Sequence, residues 1–120
     1  MNAFRTITIP VEGDATLNDW DATNGTLSHL QKAVGGYVTV VSLASDLDMW
    51  LHDEGLLIGQ PVNPVATAIA AAHGMTYQDY VGTAVFTGGA DNEGETLPLT
   101  QEQAATLLTF ARRTRDRTPA

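Results

Sequence analysis

The sequence predicts an α+β fold: four or five strands in a mainly antiparallel sheet, with two or three helices packed mostly on one face. Three observations predict it. Runs at residues 4–9 and 37–43 are rich in β-branched residues, and the first alternates apolar and polar, as half-buried strands do. Segments beginning at Thr26, Asn63 and Thr100 carry helix caps followed by apolar residues at helical spacing. The two kinds of segment follow one another as strand, helix, strand, strand, helix, strand, helix. The β-α-β-β-α-β part of that order is the one found in ferredoxin-like folds.

Each element has a local reason. Phe4-Arg5-Thr6-Ile7-Thr8-Ile9 is a strand stopped by Pro10, whose missing N–H cannot serve a ladder. Residues 11–25 are polar and read as a loop, with a short turn at 17–20 and Trp20 as its anchor to the core. Thr26 can cap a short helix in which Leu27, Leu30 and Val34 share a face, and Gly35-Gly36 ends it in left-handed geometry. Residues 37–43 form the clearest strand, and 46–52 a second one after a short connection. Asp53-Glu54-Gly55 is a tight turn, and Leu56-Leu57-Ile58 is expected to return as a short strand. Asn63 caps the next helix, Pro64 fits its first turn, and Gly74 closes it. Between them, residues 65–72 are apolar except Thr67, so this helix is expected to be buried on most sides. Residues 80–87 are the last strand, followed by an acidic loop over 88–98. Thr100 and Gln103 then make a capping box, with Ala104, Leu107, Leu108 and Ala111 as the apolar stripe.

Composition bounds the rest. A chain of 120 residues is expected to hold a single core, spanning 1–113, with 114–120 as a frayed tail. Cysteine is absent, which removes disulfides, thiol catalysis and cysteine metal sites. No apolar run is long enough for a membrane span, and the N-terminus lacks a signal-peptide pattern, so the expected compartment is the cytoplasm. The net charge of −8 is unevenly placed. Residues 1–111 hold thirteen acids against Arg5 and Lys32, while Arg112, Arg113, Arg115 and Arg117 crowd the end. That acidic body opposes nucleic-acid binding, which draws its free energy from cationic contacts.

No catalytic or metal constellation is legible, and no cofactor is expected. His29, His52 and His73 lack ligand spacing, and zinc needs three or four converging ligands. His52 adjoins Asp53 and Glu54, the one local imidazole–carboxylate cluster, for which a hydrolase role is the least favoured reading. Asp46 and Asp48 lie two apart and read as the solvent face of a strand. The acidic loop with Asp91, Glu93 and Glu95 lacks calcium-loop spacing. Neither Gly35-Gly36 nor Gly88-Gly89 stands between a strand and its following helix, as a phosphate cradle requires.

The runs Leu30-Gln31-Lys32-Ala33-Val34-Gly35-Gly36-Tyr37-Val38, His52-Asp53-Glu54-Gly55, Gln60-Pro61-Val62-Asn63 and Val81-Gly82-Thr83-Ala84-Val85 occur in that order. As a set they resemble a family of small proteins of unknown function from actinobacteria, their phages, and plasmids of other bacteria. The resemblance covers residues 4–108 and implies a phage or mobile-element product acting inside a bacterial cell, with no activity attached. This chain has His52 where such relatives often have asparagine, and an extended segment over 11–25.

Two functions follow as expectations. The first is a non-catalytic module that binds a host protein, with an exposed apolar patch around Tyr37 and Trp50. The second is a small-ligand, nucleotide-like binder at the Gly35-Gly36 turn, the Asp53, Glu54 and Gly55 turn, and Asn63, where a helix N-terminus could hold an anion. A homodimer through a strand edge or the last helix is compatible with either.

Overall fold

A computed structural model describes residues 3–76 and 78–117. Five strands, β1 (Ala3–Ile9), β2 (Thr16–Asp21), β3 (Val38–Ala44), β4 (Leu47–His52) and β5 (Ala84–Thr87), form one sheet in the order β2-β1-β5-β4-β3. Every neighbouring pair is antiparallel. The three helices are α1 (Leu27–Val34), α2 (Pro64–Ala72) and α3 (Gln101–Arg117).

Strand alternation sorts the side chains into two layers. Ile7, Phe86, Met49 and Val41 lie across one row of the sheet by register, and this face packs on α2 and α3. Val65, Ala66, Ile69 and Ala70 of α2 and Ala104, Leu107 and Ala111 of α3 complete that main core. Each large side chain fully buried there, such as Phe86 or Ile7, contributes roughly 1.5–3 kcal/mol over its exposed state. The opposite row, Thr8–Val85–Trp50–Val40, belongs to the other face. There α1 sets Leu30 and Val34 against Val85, with Trp20, Val38 and Trp50 packed at the margin. Two of the three helices thus share one face.

The sequence's local punctuation reappears in the helix ends. Gly35 terminates α1 at φ 87°, its N–H on the Gln31 carbonyl. Asn63 caps α2 through its side chain, and Thr100 and Gln103 exchange both bonds of a capping box at 3.0 and 2.9 Å. Thr26 precedes α1 without a side-chain cap, and Leu27 is exposed rather than on the core face. α3 runs through the arginine-rich segment to Arg117, and Arg115 donates to the Gly13 carbonyl beside Asp14. Residues 118–120, the end of the expected tail, lie outside the described residues.

Four further expectations are corrected. Residues 16–21, expected within a loop, form β2, because the chain pairs with β1 over six registered positions. Asn18 also donates to the Thr6 and Thr8 hydroxyls at 3.1 and 2.8 Å. Leu56-Leu57-Ile58 is no strand: residues 53–59 are a continuous turn. The ferredoxin-like arrangement, a split βαβ, needs the two strands joined by a helix to be parallel with one strand between them. Here α1 joins β2 to β3, the two edge strands with three strands between them, while β4 and β5, joined through α2, are direct antiparallel neighbours. The last strand is also shorter than read, since Gly82 at φ 76° bends the chain before Ala84 and leaves Val81 in a lone bridge to Val62.

Candidate functional site

The ladder between β3 and β4 brings four of the expected residues to one end of the sheet. Val38 faces His52 in register, and the Asp53 N–H donates to the Tyr37 carbonyl at 2.8 Å. Tyr37 projects there, 74% exposed, and Asp53 and Glu54 are exposed beside it. His52 is half-buried against Gly36: a Cβ built on that glycine would stand 2.5 Å from Nε2. Its Nδ1 accepts from the Glu54 backbone N–H at 2.9 Å. The imidazole therefore serves as a turn cap. Among the described residues no bond joins it to the Asp53 or Glu54 carboxylate.

The turn that follows is internally braced. Ile58 N–H bonds the Glu54 carbonyl at 3.0 Å, Gly59 N–H the Leu56 carbonyl at 3.2 Å, and Gln60 N–H the Gly55 carbonyl at 2.9 Å. It holds Leu56 and Leu57 at 75% and 84% exposure, with Ile58 also exposed. These three residues are the feature that sequence reading missed. Their signal was the bracketing by Gly55 and Gly59, which leaves three apolar residues without room for a strand. Behind the turn, the Gln60 side chain fills the space that Gly55 and Gly82 leave by lacking Cβ atoms, and its Oε1 is buried without a partner among the described residues.

Trp50 and Asn63 stand apart from this surface. Trp50 packs at the α1 cluster, and its Nε1 donates to Thr87 Oγ1 at 2.9 Å, so it belongs to the sheet's second layer rather than to an exposed patch. Asn63 is 0% exposed. Its Nδ2 donates to the Ile9 and Gly82 carbonyls, both at 2.9 Å, and its Oδ1 accepts from Ala66 N–H at 3.0 Å. The N-terminus of α2 is thereby closed by the chain's own amide and offers no open anion seat.

His29 stacks on Trp20 with ring centroids 5.0 Å apart and bonds the Asp21 carbonyl. The Thr23 hydroxyl, then its backbone N–H, hold the Asp21 carboxyl below the ordinary aspartate range, with His29 adding to the effect. Asp46 sits in the β3–β4 connection, so it does not share a strand face with Asp48. Partial burial pushes the Asp48 carboxyl up, against a smaller opposing effect of the Ser42 hydroxyl. Among the described residues no three histidine or carboxylate groups gather where a metal could bind. No helix described is long and apolar enough to cross a membrane.

A cleft lies elsewhere, between the β3–β4 connection and α3. It encloses about 490 Å³ and is lined by Leu47, Leu97, Leu107, Asp46, His73 and Glu102, among others, with no lysine or arginine. Gly88 and Gly89 form part of its wall, and Cβ atoms there would collide with the Pro98, Leu97 and Ser45 carbonyls.

No curated protein and no solved structure matches the chain. One family model matches, described as a domain of unknown function (DUF3846), and it covers residues 5–112. The braced turn, the Asn63 cap and the glycine contacts all fall within that span, and the chain belongs to the DUF3846 family.

Proposed function

We propose that the protein is a non-catalytic interaction module, a phage or mobile-element accessory product acting inside a bacterial cell, and that residues 53–59 dock its protein partner. The observation that carries this reading is the exposure of Leu56, Leu57 and Ile58 on a turn already fixed by its own hydrogen bonds. Adjacent large apolar side chains held in water mark interaction surfaces, and a pre-ordered turn loses little entropy on docking. Tyr37, at the same end of the sheet, supplies an aromatic of the type enriched among binding hot spots. The cellular setting rests on the motif resemblance at residues 30–38, 52–55, 60–63 and 81–85. The acidic body supports a protein partner over a nucleic acid.

The 490 Å³ cleft favours a second reading, binding of a small molecule. Its lining of Asp46, Glu102 and His73 without lysine or arginine suits a neutral or cationic ligand better than a nucleotide.

Capture from bacterial lysate on tagged protein tests the two readings, with Leu57→Asp beside the parent chain. The docking reading expects a stoichiometric protein held by the parent and lost at least tenfold by the variant, at unchanged circular dichroism. A protein held equally by both sinks it. A small-mass adduct in native mass spectrometry, with no protein retained, transfers the function to the cleft.

A further inference from the structure

The two edges of the sheet are built differently. β2, at one edge, carries Asp19 and Asp21, charges of the kind that keep an open edge from pairing. β3, at the other, reads Val-Thr-Val-Val-Ser-Leu-Ala, seven residues without a charge or a proline. No described element pairs with its outer side. The bond from Asp53 N–H to the Tyr37 carbonyl sets the phase of the β3–β4 ladder. In an antiparallel ladder alternate residues turn their backbone groups to the partner strand, so Thr39 and Val41 face β4. The N–H and C=O groups of Val38, Val40 and Ser42 point outward. Val40, on the row with Trp50 and Val85, is 46% exposed at the middle of this edge.

We propose that two copies of the chain associate through β3, antiparallel about a two-fold axis at Val40, so that their sheets join into one. The axis sets Val40 against Val40 and Val38 against Ser42 of the other copy, matching outward N–H groups to outward carbonyls. A second copy fits because the strand has no charge, so self-pairing places no like charges opposite each other on the ladder. The register shift between Ser42 and Ala44 ends the pairing after Ser42. The aspartates of β2 block the same event at the far edge, so the assembly closes at two copies instead of growing into a fibre. The net charge of −8 on each copy opposes the approach, and salt screens that opposition. The dimer is therefore held more tightly at high than at low ionic strength. This surface is distinct from the 53–59 turn and stands or falls without it.

Sedimentation equilibrium of the full chain over ~1–100 µM, a range spanning typical weak-dimer affinities, tests it. The expected result is a monomer–dimer equilibrium whose association constant rises at least threefold as salt is raised from ~0.05 to ~0.5 M. Val40→Lys is expected to weaken it at least tenfold, while Leu57→Asp leaves it unchanged. Amide exchange of the parent chain gives a measure that needs no variant: the Val40 N–H is protected at high concentration and loses protection on dilution. A monomer at every concentration overturns the proposal. So does a dimer indifferent to Val40→Lys, or one that leaves the Val40 amide unprotected.

Discussion

Asn63 concentrates more structure than any other polar side chain described. Its amide joins the start of α2 to the Ile9 carbonyl at the end of β1 and to the Gly82 carbonyl before β5, with no water-accessible surface. Removing the amide loses a helix cap, about 1 kcal/mol, and strands two buried carbonyls at roughly 1–3 kcal/mol each before any relaxation. We expect Asn63→Ala to lower the unfolding free energy by about 2–5 kcal/mol in urea titration. Asn63→Asp is the informative companion, since it keeps the acceptor for Ala66 N–H but turns a carboxylate toward two carbonyls. It is expected to fail as a rescue; recovery to within about 0.5 kcal/mol of the parent, the scatter of a neutral surface change, would show that the cap alone matters. The cap was legible in the sequence because it depends on a neighbour three residues away. The other two bonds were not, since Ile9 lies 54 positions distant and only the folded sheet brings it there. The partner of Trp50 was illegible for the same reason: nothing local announces that Thr87 will receive its indole N–H.

Between elements, the turn from α1 into β3 and the turn leaving β4 are matched by one missing methyl. Gly36 leaves the space that the His52 ring occupies, and the Glu54 N–H fixes that ring from the other side. Gly36→Ala must therefore displace the imidazole and with it the start of the 53–59 turn. We expect a loss of about 1–3 kcal/mol, the range for overpacking. In a His52→Ala background the ring atoms that the new Cβ would meet at 2.5–3.1 Å are gone, so the double-mutant cycle should return a coupling of at least about 1 kcal/mol. Additive losses would place the strain elsewhere. Helices were the most legible elements, because caps and glycine stops are written within a few residues of the ends they govern. Strands were legible where β-branched residues repeat, as in β1 and β3. β2 was not: Asn18, Asp19 and Asp21 have poor strand propensity, and its pairing with β1 overrides that preference. The exposed turn at Leu56 was misread for the converse reason, since three apolar residues in a row suggest burial until the flanking glycines are given weight.

At the scale of the whole molecule, charge is the property most at odds with folding. Compaction gathers fourteen acids against six lysines and arginines, four of those on α3, so self-repulsion opposes the native state. Asp48 adds a local cost, because its position on β4 partly removes the carboxylate from water and raises its pKa. A carboxyl whose folded pKa lies above its unfolded value favours the native state while protonated, and that contribution is lost as pH rises through the folded pKa. At neutral pH Asp48 is thus a net burden. Asp48→Asn should raise the thermal midpoint at pH 7. Its advantage should shrink as pH falls through the folded pKa and vanish below the ordinary aspartate value of about 3.9. Glu12→Gln, at an exposed position, removes the same unit of charge without relief of burial. Measured side by side, the two separate the contributions: a gain common to both reports global repulsion, and the excess at Asp48 reports desolvation on β4. Equal gains would assign the whole effect to the acidic surface, and a loss at Asp48→Asn would mean that the Ser42 hydroxyl stabilises the carboxylate more than its burial costs.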